Sequence, residues 1–216
     1  MRQNLETAKV SATSVEEFRS STEVAIAETD GLLKTFSALL RIAQIESGSR
    51  KADFARVDLS ELFDFVAETF AAVAEDEGHQ LVCDIQDGIA ISGDRELLLQ
   101  LATNLVENAI RHTPNGSRIA FRLRQETAEA IVTVRDNGPG IPEGERGKVL
   151  RRFYRLEASR TTPGSGLGLA LVAAIADLHG ARIGLLDHGP GLIVEVRFPA
   201  AAGMLAQNAG QHAVRN

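Results

Sequence analysis

A long stretch of mostly apolar residues at helical spacing, near the start of the chain, constrains the fold more than any other feature. These residues, called here the apolar stripe, alternate spacings of three and four: Val15, Phe18, Thr22, Ala25, Thr29, Leu32, Phe36, Leu39 and Ala43, with Ile26, Leu33 and Leu40 widening the row on one side. A helix of roughly thirty residues with so wide an apolar face needs partner helices. Thr13 and Glu16 stand in a capping-box relation at its start, and Gly48 is expected to end it.

The rest of the chain predicts helices and strands in mixed order after a polar linker at 49–56. We expect helices over 58–78, with Asp58 or Ser60 as the cap, over 93–109 and over 167–179. We expect strands over 80–85, 118–124 and 130–135, and two more on either side of the turn at 188–191. This order favours an α+β sandwich with helices on one face. The tail from Ala200 lacks a pattern and is expected to fray.

Charge and composition exclude several classes of protein. The formal net charge of -6 argues against a general nucleic-acid binder, which needs clustered basic residues. The single cysteine, Cys83, cannot form an internal disulfide, and we expect it to be a small core residue in a reducing compartment. No stretch approaches the roughly 18 to 20 apolar residues of a membrane span, and the polar start is not a signal peptide, so we expect no direct membrane contact in this part of the protein.

Two asparagines lie one turn apart on the predicted helix over 93–109. Asn104 and Asn108 project from one face, while leucines occupy the other. They are either two surface amides or, since amide oxygens bind hard cations, part of a magnesium site. Arg111 and His112 follow at the helix end, where they are close enough to meet phosphates, although His112 alone is also typical of a surface histidine.

A glycine turn follows the strand predicted over 130–135. Asp136 ends that strand and is followed by Asn137, Gly138, Pro139, Gly140 and Ile141. A buried carboxylate there is able to accept a hydrogen bond from an exocyclic amine, which would select adenine. The same residues are also common in a tight turn without a function.

A second glycine cluster leads directly into the last predicted helix. It comprises Gly164, Ser165, Gly166, Leu167, Gly168 and Leu169, and helix starts of this kind bind anions. The loop between the two clusters is long enough to be an active-site lid. Phe153 and Tyr154 within it either anchor the loop or belong to the site, and the guanidinium of Arg155 is suited to a γ-phosphate.

The order of these motifs resembles the ATP-binding region of sensor histidine kinases. The matching residues are Asn104-Leu105-x-x-Asn108-Ala109-x-Arg111-His112-Thr113-Pro114, then Asp136-x-Gly138-x-Gly140, then Phe153-Tyr154-Arg155, then Gly164-x-Gly166-Leu167-Gly168-Leu169. The segment from Leu39 to Gly48 also looks like the end of the second helix of that family's dimerisation and phosphotransfer hairpin.

The resemblance implies a fold and a division of the chain. The fold is an α+β, Bergerat-type two-layer sandwich with a mixed β-sheet, as in histidine kinases, gyrase and Hsp90, preceded by the long helix of a helical hairpin. Residues 1–48 would be a partial dimerisation and phosphotransfer region, residues 49–200 the catalytic ATP-binding domain, and residues 201–216 a flexible tail. The full-length protein would be anchored in the inner membrane, with this part in the cytoplasm.

The resemblance also implies roles for the site residues. Asn108 would ligate Mg²⁺ with Asn104 nearby, Arg111 and His112 would approach the phosphates, and Asp136 would bind the adenine amine. Gly138, Gly140, Ile141, Phe153 and Tyr154 would complete the ATP site, and the second glycine cluster would wrap the triphosphate. Asn104 and Arg155 would be the catalytic pair, with Arg155 neutralising charge on the γ-phosphate. The implied partners are ATP, a second copy of the chain joined through the N-terminal helix, and the receiver domain of a response regulator.

One departure from the family concerns the phosphoacceptor. The family's acceptor histidine lies in a His-Glu/Asp-x-Arg-x-Pro context, and none of His79, His112, His179, His188 and His212 does. Residues 1–12 look like the tail of the first hairpin helix and its loop. We therefore expect that this chain does not phosphorylate itself.

Three other functions fit parts of the pattern. Gyrase-type and Hsp90-type ATPases use a glutamate one turn before the metal asparagine, where this chain has Asn104, which is no general base. Glu107 is adjacent to Asn108 but is expected to point about 100° away around the helix. Anti-sigma-type serine kinases lack the long helix, and a nucleotide-binding scaffold without autokinase activity is the third alternative.

Overall fold

A computed structural model describes residues 15–47, 54–157 and 164–199. The long N-terminal helix, α1, covers Val15–Glu46. It is followed by β1 (Ala55–Asp58), α2 (Leu59–Asp76), β2 (Gln80–Ile85), β3 (Ala90–Gly93) and α3 (Arg95–His112). The second half contains β4 (Arg118–Glu126), β5 (Glu129–Asp136), the short α4 (Glu143–Arg146), α5 (Gly168–Leu178), β6 (Arg182–Asp187) and β7 (Leu192–Pro199). Thr13, Gly48 and the tail from Ala200 lie outside the described residues.

Five strands form one mixed sheet in the order β2-β4-β5-β7-β6. The β2–β4 pair is parallel and the other three pairs are antiparallel. Helices α2, α3 and α5 share a single hydrophobic core with this sheet, and Phe63 on α2 meets Phe121 on β4 with ring centroids 5.5 Å apart. The structure therefore confirms the predicted α+β sandwich with a mixed sheet and a long preceding helix.

The sequence missed a small second sheet, and the predicted linker is too long. β1 pairs antiparallel with β3, so Ala55 and Arg56, assigned to the linker over 49–56, belong to a strand. Each of these strands has four residues, too few for a clear alternation pattern. Their pairing partner supplies the hydrogen bonds that a short strand lacks by itself.

The start of α2 shows which predicted cap is used. The Asp58 carboxylate accepts a hydrogen bond from the Glu61 amide at 3.0 Å and is the N-cap. The Ser60 hydroxyl instead donates to the Gln86 carbonyl and accepts from the Ile89 amide, which fixes α2 to the segment before β3. Asp94 caps α3 in the same way, with its carboxylate accepting from the amides of Glu96 and Leu97. Both helix starts are thus set by local aspartates.

Only one part of α1 packs against the domain core, and of the predicted stripe it includes only Leu39, which is half-buried. Ile42 and Ile45 are buried in the shared core, whereas Ala43 of the apolar stripe is exposed. Phe36 and Leu32 of the stripe are 60% and 64% exposed. The packing partner of α1 within the chain is α5. The apolar stripe is therefore left largely unpaired along the described helix.

Cys83 corrects another expectation, because it is exposed rather than buried. It lies on β2, which is at one edge of the five-stranded sheet and pairs with a neighbouring strand, β4, on one side only. No helix in the part of the chain that the structure describes is long and apolar enough to cross a membrane.

Candidate nucleotide site

One cavity of about 1380 Å³ collects almost all the residues that the sequence singles out. Those that line it are Asn104, Asn108, Arg111, His112, Asp136, Gly140, Ile141, Tyr154, Arg155, Gly164, Ser165, Gly166, Leu167, Gly168 and Leu169. Gly138 and Phe153 are the two that do not. The four motifs come from α3, the end of β5, the lid and the start of α5, so the tertiary fold brings together segments that are far apart in sequence.

Asp136 lines this cavity and is 8% exposed. Its Oδ1 accepts hydrogen bonds from the amides of Gly138 at 2.9 Å and Leu192 at 3.3 Å. Burial raises the pKa of the Asp136 carboxyl, and the two amides and His188 offset part of that rise. A Cβ at Gly138 would lie 2.7 Å from Cγ2 of Thr113. Gly138 therefore contributes to the site by leaving room for Thr113 and by holding the carboxylate.

The two asparagines of α3 have different environments. The Asn104 amide nitrogen donates to the Gln100 carbonyl at 2.8 Å within the helix. The Asn108 amide nitrogen is buried and has no hydrogen-bond partner among the described residues. A Cβ at Gly168 would lie 3.1 Å from both terminal atoms of the Asn108 amide. Because a buried unpaired donor is costly, the Asn108 amide nitrogen is the atom of the pair that most needs an acceptor from a ligand, such as a phosphate oxygen.

The described part of the segment between the glycine clusters, residues 142–157, which the sequence predicts to be a lid, is held by several hydrogen bonds. The Tyr154 hydroxyl donates to a carboxylate oxygen of Glu145 on α4. The Arg155 guanidinium donates to the Gly164 carbonyl at 2.9 Å, and the Phe153 amide donates to the Gly166 carbonyl at 3.1 Å. Phe153 has a φ of 61° and is 58% exposed, so the aromatic pair is divided, with Tyr154 facing the cavity and Phe153 facing outward.

Three basic groups lie together where α3 ends. Partial burial lowers the pKa of His112, and the positive charges of Arg111 and Arg155 lower it further. His112 is therefore neutral at pH 7 in the free protein, and the two guanidinium groups supply the positive charge at this end of the cavity. Charge of this sign favours a polyanionic ligand.

Comparison with known proteins agrees with this geometry. The family described as histidine kinase-, DNA gyrase B-, and HSP90-like ATPase matches residues 93–202. The chain belongs to this family.

Individual relatives narrow the assignment to sensor histidine kinases. The signal transduction histidine-protein kinase BaeS of Escherichia coli K12 is 33% identical over 177 residues, covering 80% of this chain and 38% of BaeS. The solved mycobacterial sensor histidine kinase MprB is 29% identical with a TM-score of 0.61, covering 68% of this chain and 98% of that structure. The Acinetobacter baumannii histidine kinase AdeS, at 18% identity, shares the fold over 92% of both chains with a TM-score of 0.74.

These relatives identify the region from 93 onward as the ATP-binding catalytic domain of a sensor kinase. The chain matches less than half the length of BaeS. The activity and partners of a whole sensor kinase are therefore proposals for this chain.

The histidine-kinase cavity also contains residues that the sequence did not point to. One wall comes from α1, called here the α1 wall: Asp30, Leu33, Lys34, Ser37, Ala38 and Arg41. Of these, only Leu33 belongs to the apolar stripe, and a helical spacing of three and four residues by itself does not indicate contact with a ligand. Glu107 also lines the cavity, although it projects about 100° around α3 from Asn108 as expected for adjacent helical residues. A residue 100° from Asn108 still faces the cavity because the cavity extends across α3 toward α1.

Proposed function

We propose that this chain is the kinase core of a two-component sensor histidine kinase. It binds Mg-ATP and transfers the γ-phosphoryl group to a histidine outside this chain, from which a response regulator receiver domain receives it. The observation that supports this most is the convergence of four separate motifs on one cavity, which the buried Asp136 lines, with the unpaired Asn108 amide near the second glycine cluster. The remaining roles follow from this arrangement.

Asp136 is the group that selects adenine. Backbone amides hold its Oδ1, so the carboxylate is fixed before the ligand arrives. A fixed, buried acceptor favours a base with an exocyclic amine and disfavours guanine, which presents a carbonyl oxygen at the equivalent position.

Other residues of the cavity fit a magnesium ion and a triphosphate. Asn108 would hold the ion through its amide oxygen, with phosphate and water as the other ligands, because hard cations prefer oxygen. The ion, when bound, neutralises charge on the phosphates. Arg111 and Arg155 bind phosphate oxygens, and the glycine cluster before α5 offers backbone amides at a helix start. Arg155 is already held by the Gly164 carbonyl, so it is oriented toward the second glycine cluster.

Calorimetric titration with ATP tests the adenine assignment. Asp136→Asn should weaken ATP binding by about tenfold or more, because a buried acceptor is replaced by a group that also donates. Asp84→Asn is the matched control, since Asp84 is an exposed carboxylate on the edge strand β2 and does not line the cavity. Equal affinity of Asp136→Asn and the parent would contradict the site.

Labelling with γ-³²P-ATP tests the transfer. The chain alone should acquire no acid-labile, base-stable phosphate, because none of its five histidines has the acceptor context. Addition of a phosphotransfer hairpin that carries the acceptor histidine should produce label on that hairpin. If phosphate is instead released to water and Glu107→Gln stops the release, the chain is a hydrolase of the same family.

The second copy of the chain is also part of the proposal. The apolar stripe of α1 is exposed at Phe18, Leu32 and Phe36, and burial of such a row between two copies would produce a homodimer. We also propose that this chain is the cytoplasmic part of a protein anchored in the inner membrane.

A further inference from the structure

The α1 wall brings a cation to the nucleotide cavity from outside the catalytic domain. Lys34 lines the cavity together with the asparagine pair and the second glycine cluster. It has no ion-pair partner among the described residues, whereas Arg41 on the same wall is bound to Glu96 at 2.6 Å. Among the described residues, Lys34 is therefore the cation of the α1 wall that is not in an ion pair.

The position of the wall is fixed by contacts at one end of α1. Ile42 and Ile45 are buried in the domain core, Arg41 pairs with Glu96 at the start of α3, and Glu46 pairs with Arg152 of the lid. These contacts attach α1 to the helix that carries the asparagines and to the lid. Lys34 thus projects from a helix whose place relative to α3 is set.

Lys34 shares the cavity with the residues that are proposed to bind the phosphates. The other cavity-lining residues of α1 precede Arg41, and those of α3 follow Glu96, so the Arg41–Glu96 pair joins the two walls at one margin of their cavity-lining parts. Lys34 is about 10 Å from Arg41 along α1, and Asn104 is about 12 Å from Glu96 along α3. Lys34 and Asn104 are thus at comparable distances along their helices from the contact that joins the two walls. Packing of α1 on α5, the helix that follows the second glycine cluster, is consistent with this position.

We propose that Lys34 is a nucleotide-binding residue that contacts the terminal phosphate of ATP from the α1 wall. The ammonium group is a point charge on a flexible stem, suited to follow a phosphate that differs in position between ATP and ADP. Asp30 and Glu107 line the same cavity, and their negative charges would repel a phosphate. A phosphate that approaches these residues would therefore be attracted to Lys34. The binding site is then complete only when α1 is docked, and ATP stabilises that docked arrangement more than ADP does. The inference rests on the proposed ATP site.

Titration of ATP, ADP and adenosine into the full chain tests this. Lys34→Ala should weaken ATP binding by about three- to fivefold, as expected for one solvent-accessible ion pair, with a smaller loss for ADP and none for adenosine. The ATP loss should shrink as salt is raised, and Lys34→Arg should restore most of the affinity. Arg19→Ala is the matched control, because Arg19 is an exposed cation on α1 that does not line the cavity.

The outcomes separate the two proposals. Equal ATP affinity for Lys34→Ala and the parent, or an equal loss for all three ligands, would overturn the role of Lys34 while leaving the ATP site intact. Failure of the parent to bind any of the ligands would overturn the proposed function and the inference with it. Unfolding of helix α1 would be detected by circular dichroism, and it would lower the affinities for adenosine and for ATP by similar factors.

Discussion

Gly168, the first residue of α5, shows how one position controls the chemistry of its neighbour. A Cβ there would lie 3.1 Å from both terminal atoms of the Asn108 amide, which is tighter than ordinary contact. The absence of a side chain lets α5 begin directly against the amide proposed to hold magnesium. At this scale, the role of a glycine is a close approach between two helices rather than an unusual backbone angle.

This predicts a separation of binding from stability in Gly168→Ala. The methyl group should displace the Asn108 amide and weaken magnesium-dependent ATP binding by about tenfold. The free energy of unfolding should change by no more than about 1 kcal/mol, because Gly168 is the first residue of α5 and the preference of alanine over glycine is fully felt only in a helix interior. Calorimetry and thermal melting measure the two effects. Gly144→Ala is the control, because Gly144 on α4 does not line the cavity and a Cβ there would have no atom within 4 Å. A similar loss of ATP affinity in Gly144→Ala would contradict the role given to the contact between residue 168 and Asn108.

At the scale of elements, His179 joins the end of α5 to the start of α3. Its Nε2 accepts the Asp94 amide hydrogen at 3.1 Å, and its Nδ1–H then donates to the Ile175 carbonyl at 2.8 Å. The ring stacks on Phe54 with centroids 4.7 Å apart. Because Asp94 caps the helix that carries both asparagines, this buried histidine helps to set the position of the site.

The same junction makes folding depend on pH. Burial lowers the pKa of His179, although the Ile175 carbonyl and Asp94 oppose this in part. The unfolded chain then binds the proton more readily than the native chain, so the contribution to stability is complete above about pH 6.5 and is lost as pH falls toward the native pKa. Only the neutral ring accepts the Asp94 amide.

The prediction is a lower free energy of unfolding for His179→Gln and a weaker decline of that free energy from pH 8 to pH 5. The loss at pH 8 should be about 1–3 kcal/mol, because the Asp94 amide and the ring packing lose their partner. Urea denaturation at several pH values measures both quantities. His188→Gln removes a half-buried turn histidine and is the comparison. If the parent and His179→Gln decline in parallel, His179 is not the titrating group.

At the scale of the whole molecule, most of the apolar stripe of α1 is exposed and has no packing partner among the described residues. Phe36 is 60% exposed and does not line the nucleotide cavity, whereas the opposite part of α1 is held in the core by Ile42 and Ile45. One helix thus serves two surfaces: one side docks on the catalytic domain, and the other is available to a second copy.

Sedimentation velocity checks the predicted self-association. The parent should form a dimer at high concentration, and Phe36→Glu should shift it toward monomer, because a buried unpaired carboxylate is costly in an apolar interface. Val73→Glu is a matched control, since Val73 is also exposed but lies on α2. Nucleotide affinity should be the same in all three proteins. A parent that stays monomeric at high concentration would contradict the proposed interface.

The sequence by itself predicted the order of the longer elements and most of the residues that line the cavity. Helix periodicity, the aspartate caps of α2 and α3 and the glycine turns are local signals, so they can be read without knowing what lies nearby in space. The motifs also identified the family, and the structure places nearly all of their residues in one cavity.

Tertiary structure alone decided the features that depend on distant neighbours. Cys83 is exposed because β2 lies at the edge of the sheet, and β1 exists because β3 pairs with it. The face of α1 that is buried, and the entry of Lys34 and Glu107 into the cavity, follow from where α1 docks on α5. Burial and pairing of this kind depend on contacts between segments that are far apart in the chain. A local pattern of residues does not indicate which distant segment will pack against it.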